Sequence, residues 1–427
     1  MKEAAILIGT DDATMPELRE LAITAGARIV SESIQHRTKP DPATYIGKGK
    51  IEELRLAVQA DDVSVVIVDD ELSPGQARNI EEAVDARVVD RTGLILDIFA
   101  ARARTKEGKL QVELALLNYQ LTRLSGSSVH LSRLGGGIGT RGPGETKLET
   151  DRRRIHQKIK KIRADLAGVR GSRNVQRAKR QSVPLLTLAL VGYTNAGKST
   201  LFNRLTEAGV LTDARMFATL DPTVRQIALP SRRRVLVSDT VGFIRHLPTT
   251  LVEAFRATLE EVRQAAVLLH VVDATSPQAL EHCAHVRTVL AEIGADQTRQ
   301  LLVLNKCDLT SDEPETRRAI AARLSGEAGG LPSVTVSALH GMGIDALLAA
   351  IDDALPEDPV RKVRFRLPHA QAGLLHELHE LTQVLREDFT ADGAVVETEA
   401  PESVIRRMQK WLMRDSSPAI LGRGLTR

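Results

Sequence analysis

The chain has 427 residues, of which 42% are hydrophobic and 26% are charged, as in soluble proteins built from about two to four globular domains. Its only cysteines are Cys283 and Cys307, which excludes a disulfide framework or a cysteine-rich metal cluster, and its apolar runs are too short to cross a membrane. The net charge is only +3, yet residues 147–181 hold thirteen Lys or Arg against three Asp or Glu, which indicates a polyanionic partner contacted at one place.

We expect a cytoplasmic protein with at most peripheral membrane association. The N-terminal apolar run is short and soon interrupted by acids, unlike a signal peptide. Aromatic residues make up only 3% of the chain, so stacking of bases on aromatic side chains is not expected as the main binding mode.

Residues 1–108 are predicted to form an N-terminal α/β domain. Strands are predicted at Ala4–Ile8, Arg28–Ser33 and Val63–Val68, and helices at Glu17–Ala25 and Gly49–Val58. Another helix begins at Ser73-Pro74, with serine as its cap and proline in its first turn. Because strands and helices alternate, we expect a parallel sheet.

Residues 109–182 are predicted to form a helical arm. The pattern from Arg91 to Leu124 is helical, with one apolar stripe formed by Leu110, Leu114, Leu117 and Leu121. A glycine-rich break, Ser125–Glu145, separates this helix from a basic helix at Thr146–Lys161. Residues 170–183 read as a polar linker.

Residues 183–357 carry a phosphate-binding loop between a predicted strand, Leu185–Val191, and a helix. The loop is GxxxxGK[ST], formed by Gly192, Tyr193, Thr194, Asn195, Ala196, Gly197, Lys198 and Ser199, with Thr200 next. Its glycines let backbone N–H groups surround the β-phosphate. Lys198 can reach the β- and γ-phosphates, and Ser199 can bind Mg²⁺. An ordinary glycine turn is the alternative, which the next elements disfavour.

The strand Arg234–Val237 leads into Asp239, Thr240, Val241 and Gly242. A carboxylate here can hold the water shell of Mg²⁺, and the Gly242 N–H can contact the γ-phosphate and sense hydrolysis. The preceding loop contains Phe217, Ala218, Thr219, Leu220 and Asp221. A threonine of this loop should complete the Mg²⁺ shell, and the residues alone leave Thr219 and Thr223 as rivals.

The base should be guanine. A strand at Leu301–Leu304 leads into Asn305, Lys306, Cys307 and Asp308, and one at Val334–Val336 leads into Ser337, Ala338 and Leu339. The Asp308 carboxylate can accept from N1–H and the 2-amino group of guanine, which adenine does not offer, so GTP is favoured over ATP. The backbone after the second strand can contact the guanine oxygen.

Intrinsic hydrolysis should be slow and should need a partner, a cation or another water-positioning group. Phe243 follows Gly242, at the place where Ras-like enzymes carry the glutamine that orients water, and an apolar ring cannot do this. Asn195 is similar to the asparagine by which potassium-stimulated GTPases of the Era and MnmE kind bind K⁺. The alternative is an asparagine that only closes the turn, and both interpretations stay open here.

Residues 358–427 are predicted to form a small C-terminal α/β domain. Strands are predicted at Val363–Leu367 and Ala394–Thr398, and helices at Ala372–Leu385 and Glu402–Met413. The predicted fold is therefore multidomain α/β: a central P-loop GTPase domain with a mostly parallel sheet and helices on both faces, flanked by the N-terminal domain with its arm and this C-terminal domain.

Over nearly its whole length the chain resembles the HflX family of ribosome-associated GTPases. The family-specific segments are Asp90–Phe99, Gly108–Ala115 and Gly135–Thr146, and the nucleotide loops add Gly192–Thr200, Phe217–Pro222, Asp239–Phe243 and Asn305–Asp308. The resemblance implies that Thr219 is the Mg²⁺ ligand of its loop. Some members are reported to bind ATP through the N-terminal domain, but this chain has no phosphate loop there.

The resemblance further implies binding to the large ribosomal subunit and the splitting or rescue of stalled or hibernating ribosomes under stress. The stretch Leu131–Arg163 would lie on the arm. Its basic residues, Arg152–Arg154, Lys158, Lys160, Lys161 and Arg163, have few acids among them, which favours contact with ribosomal RNA over a merely solvated face. Gly135–Gly144 is either a hinge or a close approach to RNA. We expect a monomer that binds no DNA.

Two other functions remain open. In one, the chain is a ribosome- or RNA-binding protein whose affinity GTP merely regulates. In the other, it is an accessory GTPase of RNA modification, although neither a modification-type domain nor a nucleophilic cysteine supports this.

Overall fold

The computed structural model describes residues 3–37, 39–124, 143–181, 185–206, 216–217, 219–220, 222–245, 256–310, 314–390 and 392–413. The chain forms two compact units. The first comprises residues 1–172, 211–221 and 241–258, and the second comprises residues 173–210, 222–240 and 259–427. Among the described residues, no helix combines the length and apolar character that a bilayer crossing requires.

The first unit contains a four-stranded parallel sheet of order β2-β1-β3-β4. Its elements are β1 (Ala4–Gly9), α1 (Met15–Ala25), β2 (Arg28–Ile34), α2 (Lys48–Ala60), β3 (Val65–Val68), α3 (Pro74–Val84), β4 (Arg87–Asp90) and α4 (Arg91–Arg102). The predicted cap of α3 is present, because the Ser73 hydroxyl accepts from the Gln76 N–H in a capping box. The expected parallel α/β domain is confirmed.

The arm consists of α5 (Lys106–Leu124) and α6 (Pro143–Gln181). The predicted leucine stripe of α5 is confirmed, since it packs on an apolar stripe of α6. The buried or partly buried residues of this seam are Leu110, Leu114, Leu117, Leu121, Ile155, Ile159, Ile162 and Leu166. Their three- and four-residue steps on both helices are those of a coiled-coil seam. The glycine-rich stretch falls outside the described residues as far as residue 142.

Two predictions for this region were wrong. The segment from Arg91 to Leu124 is two helices, because Thr105 ends the connection between them: its hydroxyl accepts from the Gly108 N–H at 2.9 Å and caps α5. Residues 170–181 are helical and not a linker, since α6 runs to Gln181. Arg, Gln, Ala and Lys in that stretch are good helix formers despite their polarity.

The second unit contains a six-stranded sheet of order β10-β9-β8-β5-β7-β6, parallel except for β6. Its elements are β5 (Thr187–Gly192), α7 (Lys198–Thr206), β6 (Thr223–Ala228), β7 (Arg234–Asp239), α8 (Arg256–Gln264, of which residues 259–264 belong to this unit), β8 (Val267–Asp273), α9 (Ala279–Glu292), β9 (Arg299–Asn305), α10 (Pro314–Glu327), β10 (Ser333–Thr335) and α11 (Ile344–Ala354). The predicted mostly parallel P-loop domain is confirmed.

Helices cover both faces of this sheet, as predicted. Along β8, Val267, Leu269 and Val271 face a core completed by residues of α7 and α11, whereas Val272 faces a core completed by α9 and α10. This alternation explains why the strand reads as a continuous apolar run. The antiparallel strand β6 was not predicted, because its half-exposed TVRQIA segment is weakly apolar.

The C-terminal part of the second unit has a three-stranded antiparallel sheet of order β11-β13-β12. Its elements are β11 (Val360–Pro368), α12 (Ala372–Leu381), β12 (Gln383–Thr390), β13 (Gly393–Pro401) and α13 (Glu402–Arg407). The helix predicted at Ala372–Leu385 ends at Leu381, where the Thr382 hydroxyl donates to the Leu378 carbonyl, and a strand follows that was missed. The last predicted helix ends at Arg407, with a 3-10 turn at Gln409–Trp411.

Candidate nucleotide-binding site

The phosphate-binding loop leaves the carboxyl end of β5 and enters α7, as predicted. Gly192 has φ +146°, and a Cβ there would lie 2.2 Å from the Val271 carbonyl oxygen. Gly197 has φ +91°, and its Cβ would lie 2.2 Å from the Asn305 amide nitrogen. Both contacts are closer than real Cβ atoms reach, so the loop requires glycine at each position for space as well as for φ.

Asn195 stands at the outer turn of this loop. Its φ is +59° and its side chain is exposed. Asparagine is among the few non-glycine residues that tolerate left-handed backbone, so its identity has a conformational reason whether or not it binds an ion.

Lys198 is buried, and its ammonium donates to the Tyr193 carbonyl oxygen at 2.7 Å. Burial lowers the pKa of this ammonium to about 8, while the nearby Asp239 carboxylate acts to raise it. A cation this deeply buried needs an anionic partner, and a phosphate group supplies one.

Asp239 is fully buried at the end of β7. Next to it, the Thr240 hydroxyl donates to the Leu190 carbonyl and ties this turn to β5. The Asp239 carboxylate is therefore fixed near the start of the phosphate loop, where it also acts on Lys198. Ser199 and Thr200 lie half-buried in the first turn of α7.

The Asn305 side chain joins three loops. Its amide nitrogen donates to the Ala196 carbonyl at 2.9 Å, and its amide oxygen accepts from the Ala338 N–H at 3.0 Å. The phosphate loop and both base-recognition loops thus meet on one side chain, which is 2% exposed. The motif predicted Asn305 as a member of the site, but not this bridging role.

The half-buried Asp308 is available as an acceptor for guanine. A hydrogen bond from Ser337 is the main cause that lowers the pKa of Asp308, with a smaller effect from His340, whose Nε2 lies 3.7 Å from Asp308 Oδ2. Lys306 has φ +64°, and its ammonium pairs with Asp273 at 2.6 Å. Cys307 is buried, and its N–H donates to the Val336 carbonyl.

Two residues of this region were missed by sequence reasoning. Arg204 donates to the Ala338 carbonyl at 3.1 Å and also to the Leu339 carbonyl, so it holds the loop that follows β10. Asp273, the partner of Lys306, ends a buried apolar strand. An acidic residue at the end of a buried apolar strand was the sequence signal that could have revealed Asp273.

The remaining predicted site residues belong to the first unit. Phe217, Thr219, Leu220, Val241 and Gly242 are buried there. Ala218 and Asp221 lie outside the described residues.

Phe243, which follows Gly242, also belongs to the first unit and is 2% exposed. Thr223, the rival of Thr219, starts β6 in the second unit and is paired with Asp239 in the antiparallel ladder.

Comparisons with known proteins cover most of the chain. Residues 12–100 match the family described as "GTP-binding GTPase N-terminal", residues 102–180 match "GTP-binding GTPase Middle Region", and residues 187–306 match "50S ribosome-binding GTPase". GTPase HflX of Caldanaerobacter subterraneus is 46% identical over 96% of this chain and 94% of its own. GTPase HflX of Escherichia coli is 45% identical over 92% of each chain.

A solved structure, a GTP-binding protein from Sulfolobus solfataricus in complex with GDP, aligns with 83% of this chain and 98% of its own at 26% identity, with a TM-score of 0.46. The nucleotide loops, the match to all three parts of the family, and the identity to its members over nearly the full length agree. The chain therefore belongs to the HflX family of GTPases, which hydrolyse GTP.

Proposed function

We propose that this GTPase binds the large ribosomal subunit and uses its nucleotide state to control a helical arm that contacts ribosomal RNA, splitting or rescuing stalled or hibernating ribosomes under stress. The observation that carries the proposal is the arm helix α6, which has one buried apolar face and one exposed basic face. One stripe of α6 is buried against α5, whereas Arg152, Arg153, Lys160 and Arg163 are exposed. A family relation to proteins described as 50S ribosome-binding supports the same partner.

The charge of the arm is concentrated, because the three acidic residues of 147–181 are too few to neutralise its thirteen Lys and Arg. One of them, Asp151, pairs with Arg154 at 3.6 Å. Like charges on neighbouring turns repel each other, which costs stability unless a partner neutralises them. RNA phosphates would do so, with release of counterions.

GTP is the proposed ligand of residues 192–200, 239–242, 305–308 and 337–339. Lys198 is proposed to bind the β- and γ-phosphates, and Asp308 to select guanine. Mg²⁺ fits the oxygen donors present, because Ser199 lies in the first turn of α7 and Asp239 is a fully buried carboxylate close enough to act on the neighbouring Lys198. Ser199 and Thr219 would hold the ion directly and Asp239 through water, and it would neutralise phosphate charge.

Hydrolysis is proposed to depend on Lys198, Thr219 and Gly242 and to be slow in isolation. Phe243 cannot orient the attacking water, so a partner must supply or place the missing group. We propose the ribosomal subunit as that partner. A K⁺ ion bound at Asn195 is a second candidate for promoting hydrolysis. Exchanging K⁺ for Na⁺ in a hydrolysis assay tests it, and equal rates would reject it.

Two of the predicted nucleotide loops, which contain Thr219 and Gly242, are proposed to signal through the first unit, because both are part of it. The Met216 N–H donates to the Thr24 hydroxyl of α1 at 3.2 Å, and Arg91 of α4 donates to the Arg245 carbonyl at 3.3 Å. A loop that changes when GTP is hydrolysed would therefore change the contacts of α1 and α4.

The experiment is GTP turnover by the full chain with and without purified large subunits, alongside subunit splitting. We expect turnover to rise with subunits, and Lys198→Ala and Ser199→Ala to abolish both turnover and splitting. Splitting that survives in both variants would favour the alternative, a ribosome-binding protein whose affinity alone responds to GTP. If large subunits left the GTP turnover rate unchanged but another RNA raised it, an accessory role in RNA modification would be favoured.

We also propose a cytoplasmic monomer whose domains comprise residues 1–108, 109–182, 183–357 and 358–427.

Calorimetry with the full chain tests the base assignment. GTP should bind at least about 100-fold more tightly than ATP, because adenine offers no N–H donors to the Asp308 carboxylate and leaves it unpaired. Comparable affinities would refute the role of Asp308.

A further inference from the structure

The side chain of Tyr193 is held from outside the phosphate-binding loop. Its ring lies flat against the ring of His282 in α9, with centroids 3.8 Å apart and planes inclined by 11°. His285, three residues further along the same helix, meets the tyrosine ring at a steep angle of 71°, with centroids 6.3 Å apart. Tyr193 is 5% exposed, so these rings bury most of it.

The other end of Tyr193 contacts the key lysine of the loop. Its carbonyl oxygen accepts from the Lys198 ammonium at 2.7 Å. The same oxygen closes the first turn of the loop by accepting from the Ala196 N–H at 3.4 Å. One residue thus links the aromatic stack to the group that would bind the phosphates. A shift of the Tyr193 backbone, which the stack opposes by holding the ring in place, would move this carbonyl.

Two further contacts hold the loop. Gly192 fits closely against the Val271 backbone of β8, and Ala196 is held by the Asn305 amide at the end of β9. The stack is a third contact, and it differs because it comes from a helix, α9, and not from the neighbouring strands.

We propose that His282 is a positioning residue for nucleotide binding: by stacking on Tyr193 it keeps the Tyr193 carbonyl and the Lys198 ammonium in the geometry that receives the phosphates. This inference rests on the proposed assignment of residues 192–199 to phosphate binding. A loop without the stack spends part of its time in other conformations, and affinity falls in proportion to the competent fraction. GDP and GTP should be affected alike, since both present a β-phosphate to this loop.

The turnover of bound GTP should respond much less. Once the phosphates are seated they hold Lys198 themselves, and the bound loop no longer needs the stack for its shape. A positioning role through binding therefore raises KM and Kd while kcat is kept. A purely structural role would instead lower the fraction of active protein and leave KM unchanged.

The experiment compares His282→Ala, His282→Gln and His282→Phe in the full chain. Affinity for a fluorescent GDP, and KM and kcat for GTP, are measured after circular dichroism melting has identified the folded variants. Stacked aromatic pairs contribute about 0.5–1.5 kcal/mol, so the alanine and glutamine variants should bind about 2- to 13-fold more weakly. The phenylalanine variant should restore affinity, and kcat should stay within about twofold in all three.

A coupling test uses Tyr193→Leu. Adding His282→Gln to it should cost no further affinity, because the stack is already gone. Thr288→Ala, on the same helix and exposed, is the matched control and should leave affinity unchanged. Unaltered affinity in a folded His282→Gln variant, or equal weakening by glutamine and phenylalanine, would overturn the proposal.

Lys198→Ala in the same assay distinguishes a failure of the phosphate-loop assignment from a failure of the role proposed for His282. If it binds GDP normally, the assignment of the phosphate loop is wrong. If it loses affinity while the His282 variants do not, only the role of His282 is wrong.

Discussion

Phe217 meets Phe99 edge-on within the first unit, with ring centroids 4.7 Å apart and planes at 83°. Both rings are buried, and Phe217 has φ +56°. A left-handed backbone is unfavourable for an aromatic residue, so tertiary contacts must offset its cost. Phe217 neighbours Thr219 in the proposed switch loop, and Phe99 belongs to α4, whose helix neighbour α5 forms the arm. The ring pair thus links a proposed nucleotide loop to the helix that precedes the arm.

We expect Phe99→Leu to uncouple the ribosome from hydrolysis. Leucine keeps much of the apolar volume, so unfolding should become easier by only about 1 kcal/mol, but the edge-to-face contact is lost. GDP affinity should not change, because the phosphate loop belongs to the second unit. Subunit-stimulated turnover should fall by about fivefold or more, the size of a modest coupling free energy.

The matched control for this variant is Phe365→Leu, which removes an equally buried ring from the C-terminal core. It should cost similar stability and leave the stimulation intact. If both variants reduced stimulation equally, the ring pair would have no special role.

Arg91 should be needed for the stability of the first unit. Its side chain is 4% exposed, donates to Asp69 at 2.8 Å and pairs with Glu17 on its other side. Arg91→Met removes a buried cation that pairs with two buried carboxylates, so the free energy of unfolding should fall by about 3–5 kcal/mol. Urea denaturation measures this.

Arg91→Lys should recover only part of the loss, because one ammonium cannot replace the planar fork that reaches both carboxylates. The control is Arg87→Met, whose ion pair with Glu3 is more than half exposed and should contribute less than about 1 kcal/mol. Equal effects at the two arginines would contradict the prediction.

Asn305→Ala should weaken GDP and GTP binding together, by about 10-fold or more. The change leaves the Ala196 carbonyl and the Ala338 N–H without their partner, and each lost buried hydrogen bond costs about 1–3 kcal/mol. Equilibrium titration with a fluorescent nucleotide measures the loss. Thr310→Ala removes a nearby hydroxyl that donates to the Cys307 carbonyl within its own turn and should have little effect. If the variant lost affinity for GTP but kept its affinity for GDP, Asn305 would not act by holding the Ala196 and Ala338 loops together.

The salt dependence of ribosome binding should be set by the arm. Replacing the exposed Arg152, Arg153 and Lys160 by glutamine should lower affinity and flatten the plot of log affinity against log salt by about 0.7–0.9 per phosphate contact removed. Glutamine at the exposed Arg318 and Arg323 of α10 alters net charge almost as much and should leave the slope unchanged. A slope that is the same in all three proteins would exclude RNA contact through this face.

The nucleotide loops were predictable from sequence because each one is fixed by a local requirement. Gly192 is needed because its φ is positive and because a Cβ would collide with the Val271 carbonyl. The phosphate-binding loop, the Asp239 turn and the Asn305 turn each follow an apolar strand. The bridges between loops were not predictable, since His282 and Arg204 act through contacts with residues distant in the chain. Strand β12 was missed because it carries exposed charges beside Leu385 and Phe389, which are themselves exposed, so its pattern resembles the end of a helix.

His270 should make the second unit sensitive to acid. It is fully buried in β8, and neither of its ring nitrogens has a hydrogen-bond partner among the described residues. Burial, aided by the charges of Lys198 and Arg287, lowers the pKa of His270 to about 4. In the unfolded chain the value is about 6.5, so between these values the unfolded state binds more protons and stability falls as the pH is lowered.

The loss should be complete below about pH 4 and on the order of 3 kcal/mol. The fluorescence of Trp411, the single tryptophan and a part of the second unit, reports the unfolding of that unit in urea at pH 7.5 and pH 5. His270→Leu removes the titrating group at similar volume, so its stability should vary less with pH than that of the wild type and be equal or higher at pH 5. His36→Leu, an exposed position, is the control, since its ring is hydrated in both states. Parallel pH curves for the wild type and His270→Leu would mean that the acid sensitivity arises elsewhere.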